Sequence, residues 1–564
     1  MLEFAKNKSF WQNVKLSDDF AQHRDEVLEL YNEAFKTEPR AHSYKDILEN
    51  DDKGLWHLQF EQLQTSALLS LIYPENKEYY DNLLKIVWAY LDDYSWAPLG
   101  HFTEHYYGKT PADFDNGLID IFASSVGFAL AEIKNLFSDR FPQLLKDRIS
   151  HELRRHIIDP YLSRTYFWEK HDNNWTAVCT GGVASVLIYE APELFFENQE
   201  RIHKSMKCYL DSYKDDGMCV EGPGYWSFGF GFFSAFAMLE RELTNGEVDW
   251  FKDEKIKEIA KFLQKVFLDE DVIITFSDCS VKQDYHIGLP EMLRHIYGDM
   301  IEPLPKSCGS IARGNTHFNF ILRAFLYHNE DNFSDTLRRD VTYTAKDSCY
   351  LIKREKGYSL AAKGGNNGES HNHIDVGTFI LSRDNKQIIA DIGAGPYVEG
   401  YHTDKRYTFF HPSAYAHSMP IINGVPEDDI ARDDAIIVYD EKTNSASVEI
   451  AQAYGKDFIK SVKRAFKFDS YSMTLSDSFE LDAEPEIVER FISLIEPKIE
   501  NGKIVIDDTE LLAENGLMPT VTVKEVTPHV SELKPHPVYI IDYVLEKGKS
   551  DFTLKFDMPC KKGD

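Results

Sequence analysis

Residues 460–481 read KSVKRAFKFDSYSMTLSDSFEL. Apolar side chains recur at alternate positions, through Val462, Phe466 and Phe468 and then Met473, Leu475, Phe479 and Leu481. This is the period of strands with one buried face, and the polar break from Asp469 marks a turn between them. Similar short segments follow at 503–507, 520–526, 538–545 and 552–556, rich in β-branched and aromatic residues and separated by Asp, Asn, Gly and Lys. From about Thr342 onward the chain therefore reads as a large antiparallel β domain, expected to be a sandwich.

Upstream the period is helical. After Asn116, Leu118, Phe122, Val126, Ala129, Ile133 and Leu136 recur at three- and four-residue steps, with Asp115 placed to cap the start. Trp175, Val178, Gly182, Val186 and Tyr189 form a second stripe, and the small residues Thr180, Gly181 and Gly182 allow close helix packing. Further helices are expected at 55–71, 82–91, 141–158, 199–213, 228–243, 256–267 and 317–327. Helix after helix with short polar connections implies stacked helical hairpins. The junction falls in the polar stretch 328–339, giving a helical domain at 1–335 and a β domain at 336–564, with the cleft between them the default place for a ligand.

At 564 residues the chain exceeds what one core supports. A hydrophobic fraction of 43% and an aromatic fraction of 13% are those of a folded chain. The net charge of -31 opposes nonspecific binding to nucleic acid or an anionic membrane, so neither is expected as a partner. Seven scattered cysteines without CxxC spacing imply reduced thiols. The first twenty residues, interrupted by Glu3, Lys6, Lys8 and Lys15, show no apolar leader, and no apolar run approaches twenty residues. The expectation is a cytoplasmic protein, or a secreted or periplasmic one if a leader preceded this numbering.

Three stretches carry chemistry. His371, Asn372, His373, Ile374 and Asp375 precede the strand-like run 376–381, and as an extended strand they would turn His371, His373 and Asp375 to one face. Buried imidazoles and carboxylates need partners, a metal or a catalytic task. With Asp391 and His417, His373 makes a zinc site if the three converge, leaving His371 beside it to act on substrate; a satisfied structural pair is the alternative. Asp172-Asn173-Asn174-Trp175 opens a helix, where an amide either caps the helix or hydrogen-bonds a substrate carboxylate. Glu221-Gly222-Pro223-Gly224-Tyr225-Trp226 is a tightly specified loop, in which Tyr225 is a candidate proton donor or acceptor and Trp226 a flat surface for a sugar ring.

The ordered set of 96–101 (WAPLGH), 119–123 (IDIFA), 172–182 (DNNWTAVCTGG), 221–226 (EGPGYW), 370–379 (SHNHIDVGTF), 391–397 (DIGAGPY) and Arg406-Tyr407 leading to His417 resembles the heparinase II/III-like polysaccharide lyases. The resemblance implies an α+β multidomain fold: an N-terminal incomplete (α/α) toroid followed by a C-terminal antiparallel β-sandwich. It implies zinc, mainly structural, on His373, Asp391 and His417; Tyr225 as the catalytic tyrosine; and His371 and Asn174 as residues that meet the uronate. Several relatives carry a histidine directly after the matching asparagine, where this chain has Trp175. Tyr225 or His371 is then the proton acceptor, with Tyr401 or Tyr407 a second phenol. Trp175, Trp226, Glu221, Arg406 and His101 are the expected substrate contacts, and Arg406, Lys405 or Arg313 the cations that would favour a phenolate.

The expected reaction is β-elimination on a uronic-acid-containing oligosaccharide or polysaccharide, with short imported oligosaccharides favoured. Two rivals stay open. A glycoside hydrolase would use carboxylates from Glu104, Asp120, Asp172 and Glu221, and a noncatalytic carbohydrate-binding protein would keep the aromatic cleft alone. The oligomeric state, including a homo-oligomer, is not set by the sequence.

Overall fold

A computed structural model describes residues 3–43, 45–46, 53–98, 101, 118–281, 285–311, 317–369, 371–401, 403–482, 484–500, 503–529 and 534–560. Leu99, Gly100, Glu104, Asp115, Asn116, Arg313 and Ser370, all weighed above, lie outside them.

Helices dominate as far as Leu326. The helix Asn174–Glu190 is buried along almost its whole length, and Ile121–Leu136, Pro192–Ser212 and Gly231–Leu243 all pack against it. Its glycine pair makes this crowding workable: a Cβ on Gly182 would lie 2.7 Å from Ser124 Cβ and carbonyl oxygen, and one on Gly181 3.0 Å from the Phe232 carbonyl oxygen. Phe318–Leu326 returns to Lys53–Ile72 and Ile121–Leu136, so the array turns back on itself as an incomplete toroid. The helix expected after Asn116 begins at Ile121, capped by Asp120, whose carboxylate accepts from Ala123 N at 2.7 Å. Residues 141–158, expected as one helix, form Gln143–Leu153 and then a π turn, Arg154–Ile158. No helix among the described residues is long and apolar enough to cross a membrane.

Strands Ile459–Asp469 and Ser472–Leu481 pair antiparallel as their alternation requires. They stand inside an eight-stranded sheet. A four-stranded sheet, built from Pro420–Ile422, Ile487–Ser493, His536–Val544 and Thr520–Val526, and a five-stranded one share its core, with Phe379, Phe466, Phe491 and Phe556 meeting edge to face.

The five-stranded sheet runs in sequence order through Val341–Ala345, Tyr350–Arg354, Ser359–Lys363, Phe379–Arg383 and Lys386–Ile389. Its three central strands are buried at every position, because each face belongs to a different core. Leu351, Ala362 and Phe379, paired in register, face the sandwich; Ile352, Ala361 and Ile380, one step along, join the helical core. Polar residues on the helical face are matched across the join. Arg354 Nε donates to the Phe267 carbonyl oxygen at 2.7 Å, Ser382 Oγ to Asp269 Oδ2 at 3.1 Å, and Arg339 Nη2 pairs with Asp269. These bonds join the helical half to the sheet that packs against it.

Candidate active site

Gly222, at φ +101°, packs so that a Cβ would collide with Cys279 Sγ. This turn starts the short helix Pro223–Tyr225, a π turn Trp226–Phe230 follows, and the Tyr225 ring reaches out of the helical domain. It stacks on the His371 ring from the β domain, centroids 4.4 Å apart and planes at 29°. The Tyr225 hydroxyl lies 3.2 Å from that of Tyr397.

His371 is not in a strand. It sits in a turn at φ +54°, a left-handed conformation costly for a residue with a Cβ. Strand Phe379–Arg383 begins later than expected, so the alternation predicted for 371–375 does not hold. Asp375 instead turns away to a buried ion pair with Lys363 Nζ, 2.7 Å, which also donates to Asn372 Oδ1 at 2.9 Å.

A residue that the sequence reading missed joins the site together. Asp278, fully buried, accepts through Oδ2 from His371 Nδ1 at 2.9 Å. Its Oδ1 meets His373 Nε2 at 3.2 Å, the Tyr401 hydroxyl at 3.1 Å and Arg406 Nη2 at 2.8 Å. Burial alone would push its pKa up, but the bonds from His371, His373 and Arg406 outweigh it and hold the carboxyl far below the ordinary range. Arg406 was expected to contact substrate, yet its Nε and Nη2 also donate to the Asn372 carbonyl oxygen, both at 3.0 Å, and so fix the histidine turn. Its charge is matched by Asp278 and does not favour a Tyr225 phenolate. Burial, Tyr397 and Asp278 instead push the Tyr225 phenol well up.

His373, Asp391 and His417 converge: one donor atom from each lies within 4.8 Å of the others, and all three residues are buried. His417 Nδ1 is 2.9 Å from Asp391 Oδ2, and its Nε2 lies 3.1 Å from the His411 carbonyl oxygen. His373 presents Nε2 to Asp278 while its Nδ1 is buried without a hydrogen-bond partner among the described residues.

The remaining candidates divide. Glu221, buried, places Oε1 3.7 Å from His371 Nε2 and lines a cavity of about 250 Å³ with Asp172, Lys214, Glu369 and Asp434. Asn174 is buried at the first turn of its helix, capped by Asn173, and packs beside Gly229 of the π turn that follows Tyr225. Trp175 and His101 meet each other at 5.2 Å, with His101 Nδ1 bonded to Asp120 Oδ2 at 2.6 Å. Asp120 is thus occupied as a cap and a histidine partner. Trp226 is no sugar platform: its indole is wholly buried, bonded to the Ile259 carbonyl oxygen at 3.0 Å and stacked on Phe230. Tyr407 packs with Ile374, Ala414 and Met419 rather than against Tyr225. The phenol that meets the Tyr225 hydroxyl is Tyr397, which ends the 391–397 motif, while the Tyr401 hydroxyl is bonded to Asp278.

No family model matches the chain, and no curated protein does. Solved structures do. Heparinase III superposes with a TM-score of 0.62 at 13% identity, covering 97% of this chain and 86% of that one. Heparan sulfate lyase HepC from Pedobacter heparinus gives 0.55 at 12%, covering 100% and 92%. Chondroitin AC lyase of Streptomyces coelicolor A3, in complex with chondroitin sulphate, gives 0.56 at 9%, covering 98% and 82%. With its incomplete helical toroid, its layered antiparallel sheets and a polar cluster formed between them, the chain has a heparinase-like polysaccharide lyase fold.

Proposed function

We propose that this protein is a lyase that cleaves uronic-acid-containing glycans by β-elimination and leaves an unsaturated uronate. The observation that carries the reading is the stack of Tyr225 on His371 across the domain boundary, with each ring held by its own partner: Tyr397 for the phenol, Asp278 for the imidazole.

The C5 proton of a uronate is weakly acidic, so charge that builds on the carboxylate as it leaves must be stabilised. Asn174 supplies an amide for this next to the Tyr225 turn. With Nδ1–H of His371 bonded to Asp278, the imidazole lone pair lies on Nε2, which accepts the C5 proton. The imidazolium that forms is stabilised by the ionised Asp278, with Glu221 on its other side. Tyr225, kept protonated by burial, gives its proton to the departing glycosidic oxygen and regains one through Tyr397. The C5–H electron pair becomes the C4–C5 double bond as the C4–O bond breaks.

His373, Asp391 and His417 suit a divalent cation, zinc by the donor set: two imidazoles, one carboxylate and an otherwise unpartnered buried Nδ1. When bound, such an ion supplies fixed positive charge rather than an activated water. His373 also faces Asp278, so the ligand set orients the carboxylate that orients His371.

The test is ultraviolet absorbance of the conjugated double bond when purified protein is given oligomers of heparan, chondroitin, hyaluronan, alginate and pectin. Elimination predicts a rising signal with at least one. Saturated products with water incorporated, or binding without turnover across the panel, would overturn the reading.

A further inference from the structure

A second cluster of metal-ligating side chains lies in the helical domain. His23 is on Ala21–Ala34, Glu291 on Gly288–Tyr297, and His328 directly follows Phe318–Leu326 and its cap Tyr327. One donor atom from each lies within 4.8 Å of the others.

Two independent observations mark it as a ligand site. His23 is 2% exposed, yet neither ring nitrogen has a hydrogen-bond partner among the described residues. A buried imidazole with both nitrogens unsatisfied is costly, and this one lies over His328, ring centroids 4.3 Å apart. His328, in turn, has acceptors at both ends: the Asp19 carbonyl oxygen 2.9 Å from Nε2 and Glu291 Oε1 2.9 Å from Nδ1. A neutral imidazole carries one N–H. If Nε2–H goes to the carbonyl, the Nδ1 lone pair faces a carboxylate oxygen, an arrangement resolved by a second proton or by a metal cation, of which the metal would also give His23 a partner. A ring nitrogen donating to a backbone carbonyl is also how metal-bound histidines are commonly oriented. His417 repeats the pattern, between the His411 carbonyl oxygen and Asp391.

We infer that His23, Glu291 and His328 bind a divalent transition cation, zinc by the two-imidazole, one-carboxylate donor set. The site joins the start of the chain to the last helices of the toroid. Asp19 and Phe20 already touch this seam, with Phe20 stacked on Phe325, and Glu26 Oε2 accepts from Ile311 N at 2.8 Å. Its task is structural: it ties Ala21–Ala34, near the start of the chain, to Gly288–Tyr297 and to His328 just beyond Phe318–Leu326.

The experiment is zinc content by mass spectrometry, after the full-length protein is stripped, reloaded with zinc chloride and desalted. Glu291→Gln preserves shape and removes the carboxylate charge; His23→Phe fills the same apolar surroundings. Each is expected to hold about one zinc fewer per chain than the unaltered protein and to melt at a lower temperature. Neither should change turnover of a uronan. His373→Ala removes the other site separately, so loss of that assignment leaves this decrement readable. Zinc content unchanged in Glu291→Gln, whatever His23→Phe shows, would mean that His328 and Glu291 form only a proton-mediated ion pair, and would overturn the inference.

Discussion

Asp278 bonds to residues 93, 95, 123 and 128 positions away, and this explains both its importance and its silence in the sequence. Nothing periodic surrounds it in Ser277-Asp278-Cys279-Ser280, and Ser277 at φ +66° marks a turn that composition does not announce. Its depressed pKa gives a signed expectation. A carboxyl ionised more readily when folded than when unfolded adds stability above its unfolded value, about 3.9, and that stability is lost as pH falls further. Melting temperature followed from pH 6 to pH 3 should therefore drop more steeply in the unaltered protein than in Asp278→Asn; parallel curves would contradict the hub. The same variant should slow turnover through misorientation of His371, an effect read in kcat rather than KM. For the proton donor, Tyr225→Phe should lower the rate of absorbance increase by about 10²–10⁴-fold with an unchanged fold, and near-normal turnover would remove Tyr225 from the mechanism.

At the level of elements, legibility followed period. Ser472–Leu481 falls where the alternation of 460–481 resumes after its turn, because a side chain on every second residue facing one core leaves a plain record; Thr520–Val526 also matches its expected bounds, though of its residues only Val526 is buried. The histidine segment deceived for the converse reason. The alternation from His373 through Ile374, Asp375 and Val376 imitates a strand, but Arg406, 35 positions beyond His371, and Lys363, nine before Asn372, fold the segment into a turn. Trp226 deceived similarly, since a tryptophan beside a loop and one inside a core have the same letter. The site depends equally on backbone that only glycine permits. Gly222→Ala would place a methyl group against Cys279 Sγ at φ +101°. The expected cost is about 1–3 kcal/mol in denaturant unfolding, together with lower turnover, because the same turn aims Tyr225. A variant of full stability and activity would show that the turn has no such role.

Across the whole molecule, the five-stranded sheet decides how the halves behave. Its alternate residues enter separate cores, so neither domain can lose its packing without exposing an apolar face of the other. The Tyr225–His371 stack is possible because this join is fixed: a phenol from one domain keeps register with an imidazole from the other only if the sheet between them does not slide. Ile352, fully buried on the helical face between Tyr343 and Ala361 in register, tests this. Ile352→Ala removes packing from the helical core at a cost of about 2–5 kcal/mol. If the domains are coupled, helical signal in far-ultraviolet circular dichroism should melt together with the whole calorimetric heat of unfolding, and both should shift to the same lower temperature in the variant. A shift confined to the helical signal, with the β half melting where it did before, would show that the shared sheet does not join the two cores energetically, and that the stack across the boundary is held by the polar cluster alone.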